Sequence, residues 1–385
     1  MRATGEPAHL NIFDPAVLNA PWAQRLRQYP WGIVLTVLAL GSFGIVVLYS
    51  AAGGDLDPWA TKQGVRFAVL LAAMLVIAQV PLRLWLAVAY PLYGAVLLAL
   101  VGVELLGAIK GGGQRWLDLG FIQLQPSEFM KLAIILALAR FYHNCPRPFV
   151  TRFAGLWPPL LIIVVPAALV MSQPDLGTAL AIGFGGVAVM FLAGVRLWMF
   201  GGAAVAIVAA APVAWTMLHD YQKKRIAIFL DPASDPLGAG YHITQSKIAI
   251  GSGGLGGKGF LGGTQSHLDY LPEPQTDFIF ATMAEEWGLL GGVFVIAGFG
   301  ILLAWGIGVA MRARAPFARL MAMGLTCTLF FYVSINLLMV MGFAPVVGVP
   351  LPLISYGGSA MMTALILLGI LIGIARQARE TLTPR

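Results

Sequence analysis

Long apolar runs separated by short polar segments occupy most of this chain. A helix needs about 20 apolar residues to cross a bilayer, and ten runs come near that length. They lie at 31–52, 64–80, 85–108, 127–142, 156–173, 176–195, 198–218, 286–310, 318–342 and 354–375. The pattern therefore predicts an all-α, polytopic integral membrane protein with about ten transmembrane helices. The fourth run is short and contains Glu128 and Lys131, so hydropathy supports it least.

The polar segments divide the chain into an N-terminal arm, 1–30, a membrane domain, 31–375, and a short C-terminal tail, 376–385. The longest interruption, 219–285, separates the seventh and eighth predicted helices and is long enough to have a structure of its own. Within it, two stretches read as short amphipathic helices, which tend to lie in the membrane interface. They are 222–230 and 241–250.

Charge is scarce and unevenly placed. The 385 residues are 59% hydrophobic and 11% charged, with a formal net charge of +7, which excludes an ordinary soluble protein. Arginines concentrate in the loops on one predicted side of the membrane, whereas most acidic residues and lysines lie on the other. Short arginine-rich loops stay in the cytoplasm, so we expect cytoplasmic termini and an external 219–285 loop. No basic patch interleaved with aromatic residues is present, so we expect no nucleic-acid partner.

The most informative stretch is 270–288, where a polar segment leads into an apolar helix. Thr276 or Asp277 is placed to cap that helix, because a short side-chain oxygen can accept from its first N–H groups. From Asp277 onward, small residues recur at steps of three and four, which predicts a closely packed helix face. Glu285 would lie about 12 Å further along the helix, too far for a carboxylate pair. Asp277 is therefore either a helix cap or a single general base.

A group of basic residues falls on the predicted outer side, where positive charge is usually sparse. These side chains either form a solvated loop face or bind an anionic ligand, since Lys and Arg suit phosphate oxygens. They are Lys110, Arg115, Lys223, Lys224, Arg225, Lys247 and Lys258.

Four more residues are candidates, and two interpretations stay open for all of them except Asp175. Glu128 and Lys131, at i and i+3, form either a structural ion pair or part of a polar cavity wall within the membrane. Asp175 is expected to cap the helix that follows it. Trp116 is either an interfacial belt residue or a side chain that stacks on a sugar or guards a cavity. No nucleotide-binding motif and no His and Cys cluster for a metal appears in the sequence.

An ordered set of motifs resembles the SEDS family (shape, elongation, division and sporulation), and within it the RodA branch. Their sequences are Gly-Gln-Arg-Trp, Gln-Pro-Ser-Glu-Phe-Met-Lys, Gln-Pro-Asp-Leu-Gly-Thr-Ala, Thr-Asp-Phe-Ile-Phe-Ala and Ser-Tyr-Gly-Gly-Ser-Ala. They lie at 113–116, 125–131, 173–179, 276–281 and 355–360. A glycine-rich stretch at 251–259 that runs on into 263–273 also matches. Together they cover nearly the whole membrane domain.

The resemblance implies a ten-span peptidoglycan glycosyltransferase of the bacterial plasma (inner) membrane, active on its outer face during cell elongation. Its substrate would be lipid II, a disaccharide-pentapeptide carried on undecaprenyl pyrophosphate. Its partners would be a class B penicillin-binding protein transpeptidase and other membrane proteins of the elongation machinery. The family's essential aspartate corresponds to Asp277, its outer-loop tryptophan to Trp116, and its other membrane charges to Glu128, Lys131 and Asp175.

We also assign Glu285, Glu286 and Ser355 to the candidate substrate-binding set. No cofactor is required by the sequence, although a divalent cation could supply positive charge near a leaving diphosphate. The main alternative is a flippase for a lipid-linked cell-wall precursor, which would use Glu128 and Lys131. A scaffold that recruits other wall enzymes is the third reading, and it would depend on no single carboxylate.

Overall fold

We describe the protein from a computed structural model. The residues that it describes are 28–106, 108–110, 113–118, 123–217, 222–223, 227–229, 231, 235, 238–268, 270–271 and 273–380. Predicted positions outside these ranges include most of the arm 1–30, the candidate residues Lys224 and Arg225, and residues 224–226 and 230 of the predicted helix 222–230.

The described chain is a bundle of helices with one small sheet. The helices are α1 Trp31–Ala51, α2 Ala60–Ile77, α3 Leu82–Leu106, α4 Pro126–Asn144, α5 Arg147–Val150, α6 Trp157–Ser172, α7 Leu176–Leu192, α8 Leu197–Met217, α9 Ala239–Ser252, α10 Thr264–His267, α11 Ile279–Arg312, α12 Pro316–Val340 and α13 Gly358–Glu380. A helix therefore lies at each of the ten predicted membrane positions, and the fold is that of an all-α, multi-pass membrane protein.

Seven of the described helices are long and apolar enough to cross a membrane by length and composition. Of the other three helices at predicted membrane positions, α7 and α8 are apolar over shorter stretches, Leu176–Leu192 and Leu197–Pro212. The remaining helix, α4, carries the charged pair noted in the sequence. Exactly ten membrane crossings stays a prediction.

The position of α4 explains why it is less apolar than its neighbours. This helix contacts α3, α6, α7, α12 and α13 and buries most of its side chains, including Glu128 and Lys131. A helix that faces protein on all sides can carry paired polar groups that lipid would not tolerate. α4 is thus the central helix of the bundle, and the functional cavity opens along it.

The segment before α4 is the one place where the all-α prediction missed local structure. Three short strands, β1 Ala108–Lys110, β2 Gly113–Asp118 and β3 Gln123–Leu124, form an antiparallel sheet in the order β1-β2-β3. Strands of two to six residues leave little alternating pattern to read. The sheet places Arg115 beside the start of α7.

The stretch that joins the large loop to α11 differs from its prediction in two ways. The helix begins at Ile279, and neither Thr276 nor Asp277 caps it, because the N-cap position is Phe278 and makes no side-chain hydrogen bond. The helix is also broken at Gly288, where φ is 60° and ψ is −154°. The predicted face of small residues is buried as expected, with Ala281, Ala284 and Gly291 all inaccessible.

The second predicted amphipathic helix, 241–250, is confirmed as part of α9. Helix α13 continues to Glu380, into the predicted C-terminal tail 376–385, whose boundary stays a prediction. Arg376 lies buried inside it and donates to the carbonyl of Ala78 and to Gln28, with its guanidinium over the ring of Tyr29. This contact joins the chain before α1 to the last helix.

Candidate active site

A cavity of about 450 Å³ opens near one end of the bundle, where α4, α7, α12 and α13 meet the turn that precedes α11. Its wall combines charged and polar side chains with backbone from two glycine-containing segments. The lining residues include Arg115, Trp116, Gln125, Glu128, Lys131, Asp175, Thr178, Thr276, Asp277, Tyr332, Gly348, Val349, Pro350, Tyr356 and Ser359. Six of the sequence-predicted site residues, drawn from four separate motifs, thus meet in one space.

Glu128 and Lys131 form the base of this cavity. Lys131 Nζ lies 2.6 Å from Glu128 Oε1, and both side chains are almost completely buried. Tyr332 of α12 donates its hydroxyl to Glu128 Oε2 at 2.8 Å, and its ring lies under the ammonium at 4.3 Å. Both oxygens of Glu128 are therefore engaged. The sequence left open whether these residues form an ion pair or part of a cavity wall, and the structure shows both.

Asp175 is the N-cap of α7, as predicted. Its Oδ1 accepts from the backbone N–H of Thr178 at 3.1 Å, and its Oδ2 accepts from Gln125 Nε2 at 3.3 Å. Arg115 lies close by and donates to the carbonyls of Gln173 and Pro174, which fixes the sheet against the start of α7. Trp116 lines the same wall, which favours the cavity interpretation over a simple interfacial belt.

Asp277 lies in a turn, ahead of the helix on which we expected it. Three successive carbonyls of this turn accept hydrogen bonds from downstream residues. Gln275 accepts from the N–H of Tyr356 at 2.8 Å, Thr276 from the hydroxyl of Ser355 at 2.7 Å, and Asp277 from Asn336 Nδ2 at 3.0 Å. Gly348 faces the carboxylate so closely that a Cβ there would lie 3.5 Å from Asp277 Oδ2.

His242 of α9 lies behind this turn, with its ring centroid 6.5 Å from that of Phe278. Burial lowers the pKa of His242 below its ordinary value, although the nearby negative charge of Asp235 opposes this effect. The imidazole is therefore neutral near pH 7 and packs as an aromatic side chain.

Glu285 and Glu286 are not part of the cavity wall, contrary to our expectation. Glu285 accepts hydrogen bonds from Lys258 Nζ at 2.5 Å and from the backbone N–H groups of Thr264 and Gln265. Glu286 accepts from Ser50 of α1 at 2.6 Å. Glu285 therefore anchors the glycine-rich loop to the start of α11, with Lys258 as one of its donors, and Glu286 anchors α1 there.

The remaining basic candidates do not line the cavity within the part of the chain that the structure describes. Lys247 on α9 lies against Gly342, and Lys223 is outside the lining set. The backbone of Lys110 belongs to β1, but its side chain is among those not described. Ser355 is buried outside the cavity lining and donates to the carbonyl of Thr276 in the Asp277 turn.

Sequence reasoning missed Tyr332, Asn336 and Gly348 as members or supports of the site. None has a charge, and each is far along the chain from the group it contacts. Among the described residues, no group of three or more His, Cys, Asp or Glu side chains could hold a metal ion. Among the described residues that line the cavity, Arg115 and Lys131 carry positive charge.

Comparison with known proteins gives a consistent result over nearly the whole chain. The family model for FtsW, RodA and SpoVE, described as cell cycle proteins, matches residues 30–380. The peptidoglycan glycosyltransferase MrdB of Escherichia coli (strain K12) is 47% identical over 343 residues, covering 89% of this chain and 92% of that protein. MrdB of Helicobacter pylori (strain J99) is 41% identical over 317 residues, or 80% of this chain and 81% of that protein.

Solved structures agree with the fold. A chain of a peptidoglycan synthase complex, described in terms of coordinated polymerization and crosslinking, matches with a TM-score of 0.79 and 34% identity. It covers 91% of this chain and 98% of its own length. The crystal structure of the rod shape determining protein RodA from Thermus thermophilus matches with a TM-score of 0.69 and 32% identity, covering 91% and 97% of the two chains.

A probable FtsW glycosyltransferase from Thioalkalivibrio sulfidiphilus is 38% identical over 94% of this chain and 93% of that protein. This identity is lower than with the two MrdB proteins, the RodA homologues, in agreement with the RodA branch expected from the motifs. The chain therefore belongs to the FtsW/RodA/SpoVE family, the SEDS family to which its motifs pointed.

Proposed function

We propose that this chain is a peptidoglycan glycosyltransferase that polymerises lipid II into glycan strands, with Asp277 as the general base. The observation that carries the proposal is the position of Asp277. It lines the cavity together with Arg115, Trp116 and the Glu128–Lys131 pair. Gly348 faces its carboxylate and has no side chain, so a substrate atom can approach closely.

The proposed step joins two lipid-linked sugars. The acceptor hydroxyl loses its proton to the Asp277 carboxylate while its oxygen attacks the anomeric carbon of the donor sugar. The bond between that carbon and the diphosphate oxygen breaks, and undecaprenyl diphosphate leaves with the electron pair. A positioned base of this kind contributes about 10²–10⁴-fold in rate.

Positive charge near the departing diphosphate lowers the barrier further, because it stabilises charge that develops in the transition state. Lys131 and Arg115 are the cationic side chains on the cavity wall. A divalent cation remains an alternative source of this charge, and the expectation that no cofactor is required stays a prediction.

The same proposal includes the cellular setting. The chain would lie in the bacterial plasma (inner) membrane with both termini in the cytoplasm and the cavity open to the outer face. Its crosslinking partner would be a class B penicillin-binding protein, working with other elongation proteins and without nucleic acid. The peptidoglycan synthase complex among the matched structures supports such a partnership.

The test is lipid II polymerisation by purified full-length protein, with and without the class B partner in every arm. Asp277→Asn keeps the side-chain size but cannot accept the proton, so we expect binding of lipid II to persist and glycan chains to disappear. Glu273→Gln is the matched control, because Glu273 is an exposed carboxylate in the same turn and does not line the cavity. We expect near-normal glycan synthesis from it.

Three outcomes would count against parts of the proposal. Near-normal polymerisation by Asp277→Asn would remove the base role. Transfer of labelled lipid II across vesicles, unaffected by Asp277→Asn and without any glycan product, would favour the flippase. Equal rates with and without the partner would leave the partner only a role in localisation.

A further inference from the structure

The turn that carries Asp277 lies before α11, which begins two residues later, and one of its own hydrogen bonds runs from the N–H of Thr276 to the carbonyl of Glu273 at 3.1 Å. A carboxylate on a turn that is held only by such local bonds would sample many positions. Reaction rates are sensitive to this, since a misplacement of about 1 Å can cost roughly 10²-fold. The turn must therefore be fixed by something other than its own helix.

Asn336 of α12 supplies one part of that support. It is completely buried and outside the cavity wall. The two N–H bonds of its amide nitrogen point to two carbonyls, that of Asp277 at 3.0 Å and that of Val349 at 2.8 Å. This arrangement also fixes the orientation of the amide, because exchanging its oxygen and nitrogen would set an oxygen against two carbonyl oxygens.

The bond to Val349 matters because of its neighbour. Gly348, with φ of 71°, is the residue whose backbone lies against Asp277 Oδ2. By holding residues 277 and 349 together, one amide sets both the turn that carries the carboxylate and the segment that bounds it. Asn336 thus determines the width of the space around the carboxylate without touching the cavity.

Ser355 supplies the second part from a different segment. Its hydroxyl donates to the carbonyl of Thr276 at 2.7 Å and accepts from the N–H of Leu351 at 2.8 Å. Its own carbonyl accepts from Gln63 of α2 at 2.9 Å, and Gln63 is also completely buried. The support for the turn therefore extends back to the second helix of the bundle.

We propose that Asn336 and Ser355 are positioning residues that act through Asp277, holding its carboxylate at the place where the acceptor hydroxyl is deprotonated. This inference rests on the proposed function. Neither residue would contact substrate, so each should affect turnover and leave binding unchanged. That separation distinguishes positioning from a substrate contact, which would change KM as well.

The experiment compares Asn336→Leu, Ser355→Ala and Thr328→Val in the full-length purified protein, with labelled lipid II and the same partner protein in every arm. Asn336→Leu keeps the volume but removes both N–H groups, and Ser355→Ala removes a single oxygen. Thr328→Val is the control, because Thr328 is a buried residue of the same helix whose hydroxyl donates only to Gly324 at 3.0 Å. Initial rates against lipid II concentration give kcat and KM separately, and a thermal melt reports folding.

We expect kcat to fall roughly 100-fold for Asn336→Leu and roughly 10-fold for Ser355→Ala, with KM unchanged in both. Thr328→Val should keep wild-type kcat. If Asn336→Leu is lost from the membrane, Ser355→Ala alone decides, since so small a change is tolerated by a folded bundle. An increase in KM at normal kcat, or an equal loss of kcat in all three variants, would overturn the inference.

The two proposals fail in different ways. An active Asp277→Asn would refute the general base. An inactive Asp277→Asn together with wild-type kcat in both Asn336→Leu and Ser355→Ala would refute only the positioning role.

Discussion

Three carboxylates line one cavity, those of Glu128, Asp175 and Asp277, and the surroundings of each differ. Glu128 is neutralised by an ammonium three residues later, as its spacing from Lys131 indicated. Its second partner could not be predicted, because Tyr332 lies 204 residues further along the chain. Asp175 was predicted as a helix cap from its local sequence alone. The environment of Asp277 could not be predicted without the three-dimensional structure. The three groups that donate to the carbonyls of its turn all come from residues 336–356.

The buried pair leads to a prediction at this scale. Lys131→Ala leaves the Glu128 carboxylate uncompensated in the bundle centre, which should cost about 3–5 kcal/mol of stability. Glu128→Gln combined with Lys131→Met removes both charges and should recover most of that loss. The measurement is thermal unfolding in detergent, with Lys247→Ala as an exposed-lysine control that should change little.

Polymerisation by the same variants then separates the two roles of the pair. Recovered stability without glycan synthesis would assign the pair to the function of the cavity, in keeping with the place of both residues on its wall. Full activity in the double variant would make the pair purely structural.

At the scale of elements, α11 shows what an apolar pattern leaves out. The sequence predicted a span from 286 to 310, whereas the helix begins at Ile279 and is interrupted at Gly288. The glycine-rich loop occupies the interruption, with the N–H groups of Leu289 and Leu290 donating to the carbonyls of Gly254 and Leu255. Hydropathy does not reveal the break, because the backbone N–H groups that it frees donate to carbonyls of the loop. No polar side chain is needed to satisfy them.

The break predicts a sharp difference between two glycines of α11. At Gly288 a Cβ would lie 2.4 Å from the nitrogen of Gly257, and φ is positive. Gly288→Ala should therefore destabilise the protein by about 1–3 kcal/mol or more, since a side chain is strained in this conformation. Gly300→Ala is the matched control, because nothing lies within 4 Å of a Cβ there.

Thermal melts of both variants test this prediction. Gly300→Ala should melt at or slightly above the wild-type temperature, since alanine favours a helix. Equal melting temperatures for the two variants would show that the positive φ at Gly288 and its close packing against the glycine-rich loop do not contribute to stability.

At the scale of the whole molecule, two groups of contacts lie at opposite ends of the bundle. Arg376 joins the last helix to Gln28 and to the carbonyl that ends α2. Ser50, at the other end of α1, binds Glu286 and accepts from the N–H of Leu261. The start of the first helix and the end of the last helix therefore lie at the same end of the bundle, which agrees with the two termini predicted on one side of the membrane.

That pattern predicts which side is cytoplasmic. A reporter fused after Arg147 or Arg314 should read as cytoplasmic, and one inserted near Ser234 should read as external. Alkaline phosphatase and a fluorescent protein, each active on only one side, give the measurement. An external signal after Arg314 would reverse the orientation from that point onward.

The hydrogen bonds that Asn336 and Ser355 donate to the Asp277 turn also have a consequence for biosynthesis. Asn336 and Ser355 follow their acceptors by 59 and 79 residues. Because a chain is made and inserted from its N-terminus, the membrane helices before α11 enter the membrane before either donor has been translated. A nascent chain would thus reach a stage with most of its membrane segments integrated and its reaction centre still unassembled. Enzymatic competence would arrive only with the final two helices, so ribosomes that stall late would leave an inert product in the bilayer.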